Sequence, residues 1–174
     1  ATTIVKMLQA LRKALKNGIN IRCNIIMGFP KETHYEIWQS IKFTAELAML
    51  GVHDTVPANF SPYPGSELFR DLQKAGKITV LDDEYFDNLS VQTSFFKTVS
   101  YSEHVSSRAL LFYLILNYAV FYGLSFLFHP LRLLKILVIN PLRNVQESRF
   151  ERGFHGILKR IFSKKKPNLE KMAP

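Results

Sequence analysis

Residues 20–33 read NIRCNIIMGFPKET, and the pattern in this stretch decides the fold that the sequence predicts. The stretch opens with apolar and β-branched residues, and Gly28 and Pro30 then end that run. Thr33 follows as a helix N-cap, with Glu36 three residues later as its partner in a capping box. The sequence therefore predicts a buried strand, a tight turn and a helix, in that order.

The carboxyl end of this strand is a candidate ligand site. In α/β proteins, ligands bind outside the carboxyl ends of parallel strands. Gly28 leaves space at this end because it has no Cβ to keep a ligand away from the backbone. Pro30 restricts the turn and removes one hydrogen-bond donor.

Helices and strands alternate along the first half of the chain. The predicted elements are a helix ending at Asn17-Gly18, a strand over Ile19–Met27, a helix from about His34 to Leu50, a strand over Asp54–Phe60 and a short helix over Glu67–Ala75. Alternation with short connections predicts an α/β fold with parallel strands. Two strands do not form a stable sheet alone, so further strands come from residues 78–100 or the chain belongs to a larger barrel.

Two features of the sequence bear on metal binding. The single cysteine, Cys23, excludes an internal disulfide and an all-cysteine metal site within this chain, and its place in a strand pattern favours a buried structural thiol. The acidic residues 82–84 are interpreted as a solvated turn rather than a metal site, since no histidine or further carboxylate joins them at a fixed spacing. No metal ligand is therefore assigned.

An uncharged run occupies residues 109–128, ALLFYLILNYAVFYGLSFLF. Its length is sufficient for a membrane span, but it contains an asparagine, a serine and three tyrosines. We predict an apolar helix over about residues 103–128. Three placements stay open: the helix spans a membrane, lies in the membrane interface, or packs against the rest of the protein.

Charge is distributed unevenly along the chain. Residues 1–128 contain 12 Lys and Arg and 11 Asp and Glu, whereas residues 129–174 contain 11 and 3, a net charge of +8. The pattern over about residues 148–162 predicts a basic amphipathic helix, which either lies on anionic lipid or packs on its own protein. Nucleic acid is not the expected partner, because the aromatic residues are not interleaved with the basic ones for base stacking.

Two short blocks, IIMGFPKET at residues 25–33 and FSPYPGSEL at residues 60–68, carry a family resemblance. They resemble the later half of the radical S-adenosylmethionine (SAM) barrel, and most closely its cobalamin-binding branch. In that branch, a strand ending in I-x-G-x-P-G-E-T precedes, by one β-α unit, a strand ending in P-x-P-G-T-x-L. The resemblance implies that residues 1–98 are the C-terminal half of a TIM-like (β/α) barrel and that residues 99–174 are an α-helical extension.

The resemblance also implies a function and a set of site residues. SAM would be cleaved reductively at a [4Fe–4S] cluster for radical chemistry, with cobalamin-dependent methyl transfer frequent in this branch. The adenine of SAM would pack against the first strand and its turn, at Ile26 and Gly28. Backbone groups of Phe60 and Ser61 would contact the same adenine, and Tyr63 would face the substrate mouth.

Three departures from the family pattern limit what this chain can do alone. Lys31 stands where the family turn usually has glycine, and the chain contains neither a C-x3-C-x2-C cluster loop nor a D-x-H-x-x-G cobalamin loop. We therefore interpret the chain as part of a larger enzyme, whose upstream half is its first partner and supplies the cluster ligands. The catalytic residues remain unassigned.

The basic tail predicts where such an enzyme would work. It favours a cytoplasmic protein that is peripheral on the inner face of an anionic membrane and acts on a hydrophobic substrate. The alternative hypothesis is a non-catalytic α/β module whose basic helical tail docks to a membrane or to a partner protein.

Overall fold

A computed structural model of the chain describes residues 3–89 and 98–135. Two compact units make up the chain, Ala1–Phe128 and His129–Pro174. The first contains α1 (Ile4–Lys16), β1 (Arg22–Met27), α2 (His34–Leu50), β2 (Asp54–Asn59), α3 (Glu67–Lys74), α4 (Asp83–Leu89) and α5 (Ser107–Phe128), and the second contains α6 (Pro130–Leu134). The division predicted between residues 98 and 99 falls inside the first unit, and the predicted basic helix over residues 148–162 lies outside the described residues.

The predicted α/β class is confirmed, because β1 and β2 pair in parallel as a two-stranded sheet. Ile26 pairs with Ala58 and Met27 pairs with Asn59 at the carboxyl end of the sheet. One further hydrogen bond, from the backbone N of Phe60 to the O of Met27 at 2.7 Å, continues the pairing beyond β2. Both strands therefore end at the same edge.

The sheet has one face covered by helices and one open face. Burial alternates along β1, with Arg22, Asn24 and Ile26 exposed. On the covered face, Met27 packs with buried residues of α2 and α5. That cluster is formed by Met27, Ile37, Ile41, Val105, Leu110, Tyr113 and Leu114. The side chain of Ile26 is half exposed, so the open face presents apolar surface near the carboxyl edge.

Helix α5 packs against α2 and β2 through a face that contains polar groups. Asn117 is fully buried, and its Nδ2 donates to Thr44 Oγ1 at 3.1 Å. Near the other end of α5, the hydroxyl of Tyr122 donates to Asp54 Oδ1 at 2.7 Å. The length and composition of α5 satisfy the criterion for a membrane span. The sequence left three placements of this helix open. The side of α5 that carries Asn117 and Tyr122 packs against the rest of the protein.

Two local predictions differ from the structure for reasons of capping. Helix α5 begins at Ser107 rather than near residue 103, because Ser106 Oγ accepts from the backbone N of Ala109. The acidic residues 82–84 are exposed as predicted, but Asp83 and Glu84 form the first turn of α4 and Asp82 precedes it, in place of a turn. Asp82 Oδ1 accepts from the backbone N of Tyr85 at 2.8 Å, and carboxylates near a helix N-terminus are stabilised by the helix dipole.

Candidate functional site

The two sequence blocks meet at the carboxyl edge of the β1–β2 sheet. The first block ends β1 and forms the turn over residues 28–33, here called the first turn. The second block follows β2 as the turn over residues 60–66, here called the second turn. The rings of Phe29 and Phe60 lie with centroids 4.8 Å apart and planes tilted by 34°. Segments separated by about thirty residues of sequence therefore form one continuous surface.

The carboxylate of Glu32 closes the first turn. Its Oε2 accepts hydrogen bonds from the backbone N of Gly28 and, at 3.1 Å, from that of Phe29. The backbone N of Glu32 donates in turn to the O of Phe29 at 3.0 Å, with Pro30 at the position where proline suits a β-turn. Bonds to an ionised carboxylate are stronger than bonds between neutral groups, so Glu32 holds the end of β1 in one conformation.

The segment before α5 holds the outer side of the first turn. Ser102 Oγ donates to the backbone O of Glu32 at 2.9 Å, and the backbone N of Glu103 donates to the O of Pro30 at 2.9 Å. Ser102 Oγ also accepts from the backbone N of His104 and of Val105. Ser102 thus ties the first turn to a segment 70 residues away.

Gly28 is buried, and the space that its missing Cβ leaves is filled by Leu110 of α5. A Cβ at Gly28 would lie 2.7 Å from a methyl group of Leu110, and Gly28 has a φ of 89°. The sequence argument assigned this space to a ligand. In the structure the glycine permits close packing of α5, and its backbone N is bonded to Glu32.

The capping box at the start of α2 is confirmed. Glu36 Oε2 accepts from the backbone N of Thr33 at 2.8 Å and from its Oγ1 at 3.0 Å. The hydrogen bond from the Thr33 backbone, followed by the one from its hydroxyl, lowers the pKa of the Glu36 carboxyl. The first turn therefore passes directly into a firmly capped helix.

The second turn is held mainly by its own residues and by α4. Ser66 caps α3 by accepting from the backbone N of Phe69 at 3.2 Å, and its Oγ donates to the O of Tyr63 at 2.8 Å. The hydroxyl of Tyr85 donates to the O of Pro62. Tyr63 is 59% exposed, with its hydroxyl 3.4 Å from the O of Leu89.

The predicted site residues are brought to the same edge of the sheet but face different surroundings. Ile26 lies on the open face, whereas Gly28 faces Leu110 on the helix-covered side. Phe60 and Ser61 are half-buried, and the backbone N of Phe60 is bonded to Met27. Sequence reasoning assigned no role to Glu32, although it stands at the glutamate of the I-x-G-x-P-G-E-T pattern.

The described residues lack a ligand set for a metal or an iron–sulfur cluster. Within residues 3–89 and 98–135, no three His, Cys, Asp or Glu side chains are grouped to hold a metal ion. Cys23 is half-buried, and burial raises the pKa of its thiol. Comparisons with protein-family models, curated proteins and solved structures find no match to this chain.

Proposed function

We propose that this chain is the C-terminal part of a radical SAM enzyme and that the carboxyl edge of β1 and β2 is one wall of its SAM pocket. The observation that carries the proposal is the meeting of the two motif blocks. They resemble the family at separate places in the sequence, and they are adjacent in space, with Phe60 N bonded to Met27 O at 2.7 Å.

The sheet has the asymmetry that the proposed barrel requires. Strands of a (β/α) barrel carry helices on the outer face and turn the other face to the barrel interior. Here β1 is covered by helices on one face, and the open face carries Ile26 and its register partner Ala58. We propose that β1 and β2 are two strands of such a barrel and that this apolar open face contacts the flat adenine ring.

Each predicted site residue has a role in this proposal. Ile26 packs against the adenine. The backbone of Phe60 and Ser61 borders the same ring, but the Phe60 N–H takes no part because it is bonded to Met27. Gly28 is a positioning residue, because it lets Leu110 approach the turn from behind. Tyr63, which is exposed, faces the substrate.

The cluster belongs to another part of the proposed enzyme. The described residues do not fit a [4Fe–4S] cluster, so no step is routed through these side chains. In the family the cluster supplies the electron that cleaves SAM, and cobalamin would serve methyl transfer to a hydrophobic substrate. This chain's own contribution is to bind SAM and to shape the pocket.

The experiment requires the longer protein that contains this chain. After anaerobic reconstitution with iron and sulfide, reduction with dithionite in the presence of SAM should yield 5′-deoxyadenosine. Ile26→Glu should weaken SAM binding, because it places a charge on the apolar open face, whereas Val5→Glu at an exposed position of α1 should not. A protein without a cluster, or SAM binding that is insensitive to Ile26→Glu, would contradict the proposal.

A second candidate is a non-catalytic module that docks to a cytoplasmic, anionic membrane face or to a partner through residues 129–174. The +8 charge of that segment, against +1 for residues 1–128, favours it. It predicts binding to anionic vesicles that weakens with salt and is lost when residues 129–174 are deleted. Formation of 5′-deoxyadenosine by the longer protein would exclude this candidate as the sole function.

A further inference from the structure

The outer face of α5 is an exposed apolar stripe. It runs the length of the helix at spacings of three and four residues, which place its members on one side. The stripe consists of Phe112, Ile115, Ala119, Gly123 and Leu127. Phe112, Ile115 and Leu127 are 58%, 54% and 72% exposed. These five residues are called the outer stripe below.

The inner face of α5 combines buried apolar residues with the buried polar residues Asn117 and Ser125. Asn117 is bonded to Thr44 at 3.1 Å, and Tyr122 is bonded to Asp54 at 2.7 Å. A surface helix of a soluble protein normally has polar residues on its outer side, so the apolar outer stripe is the feature that departs from the usual pattern. Both bonds fix α5 against α2 and β2, so the outer stripe faces away from the core.

The apolar surface continues from α5 onto α2. The ring of Tyr113 lies 5.9 Å from that of Trp38 and 5.8 Å from that of Phe112. Trp38 is 45% exposed, and Tyr35, one turn earlier on α2, is 71% exposed. Tryptophan and tyrosine side chains are enriched where a protein meets the lipid headgroup region.

The sequence around α5 is basic over a long stretch, although Glu36, between Tyr35 and Trp38 on α2, is also exposed. No Asp or Glu occurs between Glu103 and Glu147, whereas four basic residues lie in that interval: Arg108, Arg132, Lys135 and Arg143. Arg108 is exposed at the first turn of α5. An apolar stripe that is followed directly in the sequence by a segment of net charge +8 complements a surface that is apolar inside and anionic outside.

We propose that the outer stripe, together with Trp38, is a docking surface for a lipid bilayer that contains anionic lipids. Helix α5 lies in the plane of the interface with its outer side among the headgroups and upper acyl chains. It does not cross the bilayer, since surrounding α5 with lipid would break the bonds of Asn117 to Thr44 and of Tyr122 to Asp54. This inference does not depend on SAM chemistry.

Trp38 is the only tryptophan in the chain, so its fluorescence reports on this surface without a label. The 174-residue chain is mixed with vesicles of phosphatidylcholine and phosphatidylglycerol in equal parts. Trp38 emission should shift to the blue and be quenched by bromine atoms placed on the acyl chains. Vesicles of phosphatidylcholine alone should bind the chain more weakly.

The matched variants are Phe112→Gln/Ile115→Gln on the outer stripe and Phe86→Gln/Val5→Gln at exposed positions of α4 and α1. The first should lower the vesicle partition coefficient about tenfold, since two large apolar side chains no longer leave water. The second should leave partitioning unchanged. Circular dichroism and urea unfolding check that both variants fold.

Three results would overturn the proposal. The first is a folded wild-type chain that does not bind the anionic vesicles. The second is binding with unquenched Trp38 and no loss in Phe112→Gln/Ile115→Gln, which would mean attachment through the basic tail alone. The third is a dimer that this variant dissociates while vesicle binding stays the same, which would mean that a second copy of the chain covers the outer stripe.

Discussion

The two turns at the carboxyl edge of the sheet have nearly the same glycine geometry but are stabilised by different parts of the molecule. Gly28 in the first turn has a φ of 89°, and Gly65 in the second turn has a φ of 90°. The first turn is packed against Leu110 and bonded to Ser102. At Gly65, no described atom other than those of its chain neighbours lies within 4 Å of the position of a Cβ.

This difference separates backbone preference from tertiary packing. Both glycines avoid the strain that an L side chain meets at positive φ, but only Gly28 also makes room for a neighbouring helix. The first turn should therefore respond strongly to changes in α5 and the segment before it, and the second turn should respond mainly to changes within itself and in α4. Four predictions follow this contrast, in order of decreasing effect.

The largest effect is expected for Gly28→Ala, which should lower the free energy of unfolding by about 3 kcal/mol. Strain at positive φ adds to a clash of the new methyl group with Leu110. Gly65→Ala should cost only about 1 kcal/mol, because strain acts there without a clash. Urea denaturation measures both, and equal losses would refute the assigned role of Leu110. The double variant Gly28→Ala/Leu110→Ala should lose less stability than the sum of the two single variants, because the smaller side chain at residue 110 no longer meets the new methyl group.

Glu32→Ala should lower the free energy of unfolding by about 2 kcal/mol, since two backbone N–H groups lose a charged acceptor. Hydrogen exchange should locate the effect, with faster exchange at the amides of Gly28 and Phe29. Glu46→Ala, an exposed substitution on α2, is the matched control. If both variants exchange alike at these amides, Glu32 does not hold the first turn.

Ser66→Ala should cost about 1 kcal/mol, the usual effect of removing a helix N-cap. Its effect should stay in the second turn and α3, because the hydrogen bonds seen for the Ser66 side chain go to the nearby residues Tyr63 and Phe69. Ser66→Asn retains a capping oxygen and should restore most of the stability. Changes in exchange at the first turn would show that the two turns are coupled.

The smallest expected effect is the change in stability with pH that results from protonation of Glu36. The pKa of Glu36 is lowered in the folded chain, so its contribution to stability is present above the pKa of an unfolded glutamate, about 4.3, and is lost as the pH falls through the lower folded value. NMR titration of the side-chain carboxyl should show the lowered pKa. Thr33→Ala should raise it part of the way, because the backbone hydrogen bond remains. An unchanged pKa in Thr33→Ala would remove the hydroxyl as a cause.

Local patterns predicted the elements near the site well. Helix α2 begins at His34 and ends at Leu50 as expected, and the capping box at Thr33 and Glu36 is formed. Both features depend on residues within one or two turns of one another, so their spacing in the sequence is also their spacing in the structure. The parallel pairing of β1 with β2 followed from the short helical connection between them.

Contacts between distant segments were not predicted. Nothing in residues 25–33 shows that Leu110 fills the space at Gly28 or that Ser102 bonds Glu32. Likewise, the uncharged residues 109–128 do not show which side of α5 packs inward, because no charged side chain marks the side that faces water. Asn117 and Tyr122 define that side only because Thr44 and Asp54 lie opposite them in the folded chain.

The sequence by itself determined the α/β order, the two glycine turns, the capped helix and the separation of a nearly neutral body from a basic tail. These properties arise from backbone preference, hydrophobic periodicity and charge, which act over a few residues or simply add along the chain. Only the tertiary structure decided that the two turns share an edge, that Gly28 serves packing, and that α5 turns its polar groups inward. Those outcomes depend on which surfaces meet, and a one-dimensional pattern does not specify the partner of each surface.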